Sequence, residues 1–540
     1  MYLTPKRVAL GGGLIGLIIL ICCVVSSYNK ALYVANLDTR PLNVGLVGII
    51  ESLEPAVVAT GEEQLIASAL YEGLVLNDSD SGTIKPAIAS DWRFSNDGKS
   101  LIINLKNGVK FCNGKIVNAK DVKASWEKSL STSKDYEKVS LFLSIVGSSE
   151  FLEGKTTDIS GIIVVNDKTL KINFYQPNAA FIYMLNNPIF WVYDCEDKTT
   201  PAPGTGPYVL KENKDNKEFI LSRNDKYRRG LPRVTAIKIN LFRDVNRAFD
   251  EYKAGKLDYL DTVPIEKIKD IRNNEQYKKL FIEKPLLSIY AIGFNVNKEP
   301  FVGNYHLRRA LNYAIDRSAI IENVMGHSYR AIKGAVPLGV TGYNREMPGY
   351  TYNPQKAADL LKEAGYPLGE GLKPLTIVYN NNEGHRMVLQ SISEQLAQLG
   401  IEVQLTPMEW DYYQGELKKM NFMCYRIGWS ADYPDTDSFL YSLFHSSNIG
   451  ISNFSGYTNQ QVDKILDASR EETKSQQERI KLMNRAEEII VDDAPYLWLF
   501  QKNAAKLIGK QVNSLNINNM GMVDWYSIEL LKPSSEGSKL

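Results

Sequence analysis

Near residue 284 the chain changes rhythm, so one polypeptide must build two kinds of sheet. Upstream, candidate strands are short and punctuated by Asn96-Asp97-Gly98, Lys106-Asn107-Gly108 and Cys112-Asn113-Gly114, the spacing of antiparallel hairpins. Downstream, the repeat lengthens into βα units. Leu307, Ala310, Leu311, Ala314 and Ile315 form one apolar helical face. Asn353-Pro354 gives the next helix its N-cap and first residue, Leu360, Leu361 and Ala364 its buried stripe, and Gly365 with Pro367 its stop. Strands at 375–379 and 401–405 flank a helix through Met387, Ile392 and Leu396, which predicts an α/β unit with parallel pairing. Ile480, Met483, Ile489 and Ile490 mark a further packed helix.

A chain of 540 residues exceeds what one hydrophobic core serves. The order of segments predicts a first lobe from 43–66, 190–283 and 503–540, a small α+β subdomain inserted at 67–189, and a second lobe over 284–502. In the subdomain, Asn118-Ala119-Lys120-Asp121 caps a helix from Val122 to Leu130, and two strands lie between 159 and 175. In the first lobe, strands are expected at 43–50, 208–211, 218–223 and 236–242, and 504–531 returns to short strands that pair with it. The Gly204-Thr205-Gly206-Pro207-Tyr208 corner lacks the Lys-Ser/Thr pair of a phosphate loop and reads as a tight turn whose glycines take special backbone angles.

Lys and Arg (63) nearly cancel Asp and Glu (62), so no global field draws nucleic acid. Lys6 and Arg7 precede an uncharged run over 8–25, which makes 1–25 a membrane-targeting segment and 26–42 a tether, with the bulk outside the cytoplasm. The run is long for a secretory segment and at the lower limit for a span, so cleavage and retention as an anchor both stay open. Cys23 is the lipidation candidate, although Cys22 stands where a small residue is usual and Val25-Ser26-Ser27 offers a competing cleavage site. Cys112, Cys195 and Cys424 form no disulfide framework, and His306, His327, His385 and His445 show no zinc spacing. Neither metal nor cofactor is expected.

One strand-to-loop corner carries chemistry. A strand through Tyr425 and Ile427 ends at Gly428, Pro434 forces a loop, and Arg426, Trp429 and Asp432 set a cation, an indole and an anion around the turn. Ligands sit beyond the carboxyl ends of strands in open α/β sheets, and this corner would hold a zwitterion. A rival reading takes Asp432, Asp435 and Asp437 as the acid/base set of a secreted glycosidase. Against it, no second carboxylate is paired at a matching strand end and no Gly-x-Ser-x-Gly elbow is present.

Several strings occur in a telling order: Ser52-Leu53-Glu54-Pro55, Tyr71-Glu72-Gly73-Leu74, Gly108-Val109-Lys110-Phe111, Gly204 to Tyr208, Ala254-Gly255-Lys256-Leu257-Asp258, Leu307 to Arg317, Ala357 to Pro367, and Gly428 to Asp432. Over 48–531 the set resembles the peptide and nickel class of solute-binding proteins that feed ABC importers, above all its oligopeptide-binding members. Cys112 stands where a His is common in that class. The resemblance implies an α/β, two-lobed periplasmic-binding-protein type II-like fold with an additional small α+β subdomain, closing over a ligand without catalysis. It also implies that Asp432 pairs with a peptide α-ammonium, while Arg426 and His385 are basic groups meeting the carboxylate at different peptide lengths. Trp429 and Trp410 would line side-chain pockets, with Tyr136 reaching in from the subdomain. The implied partners are an oligopeptide and a membrane permease with cytosolic ATPases, the protein itself being a monomer tethered through its N-terminal segment. Nickel-chelate, haem, oligosaccharide and signalling-peptide ligands remain alternatives, because one scaffold carries many specificities.

Overall fold

The computed structural model describes residues 37–79, 81–326 and 328–533; the targeting segment, Cys23, most of the tether and His327 lie outside them. Twelve strands hydrogen-bond into one continuous sheet with two halves, because the 13-residue strand Tyr496–Ile508 belongs to both. Its first part runs antiparallel to Ser288–Phe294 and Tyr329–Ala331, its second part to Tyr259–Leu260 and Phe281–Pro285. The chain also crosses between the halves from Phe281–Pro285 to Ser288–Phe294, leaving Leu286 and Leu287 as the linker.

In one half, Leu42–Val47 lies parallel to Ala236–Phe242 and Tyr259–Leu260, and the antiparallel strands Glu218–Arg223 and Tyr208–Lys214 follow outward. In the other, Leu375–Asn380 lies parallel to both Val403–Met408 and Cys424–Ser430, the α/β pairing that the periodicity predicts. The intervening helix Glu383–Ala397 buries Ile392 and Leu396 as expected, whereas Met387 is exposed and Val388 and Leu389 take the core position instead. A separate four-stranded antiparallel sheet, from Ala89–Phe94, Ser100–Leu105, Thr169–Asn173 and Ile162–Asn166, packs with the helix Ala119–Thr132 around its own core. Asn118 caps that helix by accepting the N–H groups of Lys120 and Asp121. Tyr433, from the far half of the large sheet, is part of the same small core. Among the described residues no helix is long and apolar enough to cross a membrane, and Cys112, Cys195 and Cys424 are free.

Two of the sequence strings have structural roles. In Leu307 to Arg317, Arg308 donates to the carbonyls of Phe301 (2.8 Å) and Asp493 (2.7 Å), and Arg317 donates to those of Trp498 (2.5 Å) and Asn312 (3.1 Å). Backbone dipoles thus solvate the buried Arg317 guanidinium, whose pKa burial lowers to about 10, and the helix Tyr305–Ala314 is bound to the long shared strand.

The Gly204–Gly206 corner departs from expectation, since neither glycine takes a positive φ. What they accommodate is close backbone approach: a Cβ on Gly204 would lie 2.1 Å from the Leu70 carbonyl oxygen, and one on Gly206 2.5 Å from that of Ala69. The end of the helix Gly61–Leu70 presses on this corner, and only hydrogen fits between. Gly204→Ala is therefore expected to lower the unfolding free energy by about 1–3 kcal/mol, as overpacking does. A urea midpoint indistinguishable from wild type would contradict this.

Candidate ligand-binding site

A cavity of about 750 Å³ is walled by all three parts of the molecule. Ser288, Ser430, Ala431 and Asp432 reach it from one half of the large sheet, Arg228, Arg229 and Asp524 from the other, and Asp78, Lys85, Glu137 and Lys138 from the side of the small sheet.

Asp432 sits where the ladder ends. The strand continues to Ser430, two residues past its expected end at Gly428, and the Ala431 N–H still donates to the Leu287 carbonyl at 2.9 Å. Beyond it, the Asp432 N–H donates to Ser438 Oγ (3.0 Å), Asn187 Nδ2 donates to the Asp432 carbonyl (3.1 Å), and Trp429 Nε1 donates to the Ser438 carbonyl (2.8 Å). The backbone is held from three directions while the carboxylate has no ion-pair partner among the described residues. Burial, reinforced by Glu137 and Asp135 and only partly offset by Lys138, pushes the Asp432 carboxyl up to about 8.

The next acids in the loop are treated oppositely. Arg479 donates to both oxygens of Asp435 at 2.6 and 2.8 Å, and Arg470 to both of Asp437 at 2.8 and 2.9 Å. Burial alone would raise the Asp437 carboxyl, but Arg470 outweighs it and holds it below the ordinary value. Neither acid lines the cavity. The glycosidase reading thereby loses two of its three carboxylates to structural ion pairs.

Charges in the cavity wall mostly cancel within the wall. Arg228 forks onto Glu72 (2.8 and 3.0 Å), Arg229 reaches Asp524 (3.3 Å), Lys85 reaches Asp78 (2.8 Å), and Lys138 lies 3.6 Å from Asp135. Lys85 and Ser81 overcome burial to bring the Asp78 carboxyl down to about 2. Left without an ion pair among the described residues are two acids, Asp432 and Glu137, and one base, Lys502.

Arg426 and His385 form a second group further back along the same strand. Alternation places Arg426, Gly428 and Ser430 on one face, where Gly428 pairs with Tyr290 and Ser430 with Ser288 of the neighbouring strand. The Arg426 guanidinium lies 4.9 Å from the Tyr290 ring centre and donates to Asn380 Oδ1 at 3.3 Å; it makes no ion pair among the described residues. Gly428 leaves it that space, since a Cβ there would stand 2.7 Å from Nη2. The His385 ring, near the start of Glu383–Ala397, has Nδ1 3.3 Å from the Tyr290 hydroxyl. Burial and then Arg426 push the imidazole down to about 4, so at neutral pH only Arg426 of the expected pair of basic groups carries charge.

Of the six residues singled out by sequence, only Asp432 lines the cavity. Trp429 lies on the strand face opposite Arg426, packed against the core of its own half. Trp410 opens the helix Trp410–Lys419 and Tyr136 the short helix Tyr136–Ser140; both are 52% exposed, and Tyr136 sits between the wall residues Asp135 and Glu137. Sequence reasoning missed Arg228, Arg229, Asp524 and Lys502. Glu72 appeared only inside Tyr71-Glu72-Gly73-Leu74, with nothing local to announce a partner more than a hundred residues away.

Residues 83–450 match the model for the middle part of bacterial extracellular solute-binding proteins, family 5. Periplasmic murein peptide-binding protein MppA of Escherichia coli is 30% identical over 87% of this chain and 89% of its own, and Heme-binding protein A of Haemophilus influenzae is 29% identical over 82% and 84%. The unliganded open form of the murein tripeptide binding protein MppA superposes with a TM-score of 0.79 at 26% identity, covering 92% of this chain and 99% of that one. The fold is the two-lobed type II periplasmic-binding-protein arrangement. With more than half of its length matched by the family model and both relatives covered nearly end to end, the chain belongs to the bacterial extracellular solute-binding proteins of family 5.

Proposed function

We propose that the protein captures short peptides with free termini outside the cytoplasm and delivers them to a membrane permease driven by cytosolic ATPases, acting as a monomer tethered through its N-terminal segment. The observation that carries this reading is the Asp432 carboxyl group, lining a cavity with no ion-pair partner among the described residues and pushed up to about 8 by burial and by Glu137 and Asp135. A peptide α-ammonium supplies what this group lacks, a positive charge with several N–H donors. Arg426 is the complementary group. It lies further back on the strand that leads to Asp432 and makes no ion pair among the described residues. His385, neutral beside it, offers a hydrogen bond rather than a second charge. Trp410 and Tyr136, both exposed, are suited to contact ligand side chains at the rim, whereas Trp429 acts through Ser438 to fix the Asp432 loop.

Similarity to a heme-binding relative raises a second ligand class. The surplus charge of the wall weighs against it, because two unpaired acids and one unpaired base suit a ligand bearing a cation better than a dianionic porphyrin.

Removing one member of a desolvated charge pair costs about 2–5 kcal/mol, or roughly 30-fold to several-thousand-fold in affinity. Asp432→Asn should weaken binding of an unblocked peptide by that factor in isothermal titration calorimetry, and Nα-acetylation of the peptide should do the same to wild type. Equal affinities for the variant and wild type would refute the assignment.

A pH dependence follows with a definite sign. Below a free-state pKa of about 8 the Asp432 carboxyl carries a proton that must leave when an ammonium binds. Affinity should climb as pH rises toward 8, and calorimetry at about pH 7 in buffers of different ionisation enthalpy should register proton release. Proton uptake would contradict it. In the ligand-free protein the raised pKa gives a stabilisation that is present at low pH and lost as pH rises through about 8, so Asp432→Asn should melt above wild type on the alkaline side.

A further inference from the structure

Tyr433, the residue after Asp432, belongs by sequence to one body and by packing to another. Its backbone follows the strand Cys424–Ser430, yet its side chain, 1% exposed, is part of the core of the small subdomain. The hydroxyl turns back to its own side and donates to Asp437 Oδ2 at 2.7 Å, so the ring is what joins the two. Other contacts stitch the same seam. Asn187 Nδ2 of the subdomain donates to the Asp432 carbonyl at 3.1 Å, the Ala179 N–H donates to the Arg470 carbonyl at 2.7 Å, and the Arg479 guanidinium lies 5.5 Å from the Tyr183 ring centre. Arg470 and Arg479 are the arginines that fork onto Asp437 and Asp435, so these acids reach the subdomain through one arginine each.

The seam sets the charges around Asp432. Three groups of the subdomain face its carboxyl: Glu137 and Asp135, which oppose its ionisation, and Lys138, which favours it. Lys138 offsets little, because its ammonium donates to the Val58 carbonyl and lies 3.6 Å from Asp135. From the other half of the sheet the cavity receives Arg228 and Arg229, paired with Glu72 and Asp524, and from the shared strand Lys502. Ala431 and Ser438 hold the Asp432 corner from its own half only. Its distance from the two acids is therefore fixed by Tyr433 and Asn187, and a buried aromatic ring outweighs one neutral hydrogen bond.

On the peptide reading given above, we infer that Tyr433 is the positioning residue of the ligand site: its ring, seated in the subdomain core, holds the Asp432 carboxyl against Glu137 and Asp135. Without the ring, the corner is free to turn its carboxyl toward water and away from both acids.

The first arm of the test uses no ligand. Asp432→Asn should raise the melting temperature of wild type on the alkaline side, where the native carboxyl must ionise among acids. In a Tyr433→Ala background that gain should be lost, and in Tyr433→Phe, which keeps the ring in the core, it should be retained. Tyr433→Leu leaves a smaller cavity and replaces the first variant if that one fails to fold. The second arm is calorimetry of an unblocked peptide in buffers of different ionisation enthalpy at about pH 7, where wild type and Tyr433→Phe should release protons and Tyr433→Ala should release none. An undiminished alkaline gain in the Tyr433→Ala or Tyr433→Leu background overturns the inference. So does an equal loss in Tyr433→Phe, which traces the effect to the hydroxyl and Asp437. Peptide binding that keeps its proton release in Tyr433→Ala leaves the peptide reading standing and removes Tyr433 from it. If the ligand-free arm behaves as expected while wild type binds no peptide, the peptide reading falls and the hold of Tyr433 on Asp432 remains.

Discussion

The structure is organised around an acid with no ion-pair partner among the described residues. Asp432 is clamped through its backbone by Leu287 by way of Ala431, by Ser438 and by Asn187, so the surroundings fix where the carboxyl group stands while burial holds its proton on. Three and five residues later, Asp435 and Asp437 each receive a two-pronged arginine. Arginines from the helices Gln460–Glu471 and Gln476–Asp493 thus reach this loop, and of its three acids the one that lines the cavity is the one without an ion pair among the described residues. At about 1.4 kcal/mol per pKa unit, holding this carboxyl near 8 amounts to several kcal/mol favouring its protonated form.

The rest of the fold keeps that corner in register with the opposite wall. The halves of the large sheet are joined covalently only at Leu286–Leu287 and along Tyr496–Ile508. Gln501 braces both, donating to the carbonyls of Leu286 (2.8 Å) and Leu338 (2.7 Å). Arg317 ties the neighbouring helix to the same long strand through the Trp498 and Asn312 carbonyls, and Arg308 holds the turn just before the strand through the Asp493 carbonyl. The corner that carries Asp432 hydrogen-bonds to the Leu286–Leu287 linker through the Ala431 N–H and the Leu287 carbonyl, so the cavity wall is built directly on the join between the halves.

Features set by local chemistry were legible in the sequence. Asn118 and Asn353 cap the helices expected of them, and the βα rhythm after residue 284 becomes parallel strands. The place of Asp432 was legible because it lies on the turn that follows one strand. Alternation along that strand separates Trp429 from Arg426, and the partly buried indole packs against the core of its own half. What stayed hidden depends on neighbours remote in sequence. Gly204 looks like a turn glycine until the end of the helix Gly61–Leu70 is seen against it. Arg228 and Glu72 each look like surface charges until they meet. Lys502 is distinguished only by lacking what its fellow wall cations possess, and such a lack is invisible until the wall is assembled.

On the peptide reading, the ammonium end meets one carboxylate whose backbone is held by its neighbours, and Arg426, further back along the same strand, is the cation offered to the other end. Side chains of the ligand, by contrast, meet a wall whose charges are already satisfied by Glu72, Asp78 and Asp524. A wall largely neutralised in pairs has little electrostatic preference among ligand side chains, so on that reading discrimination rests on the termini.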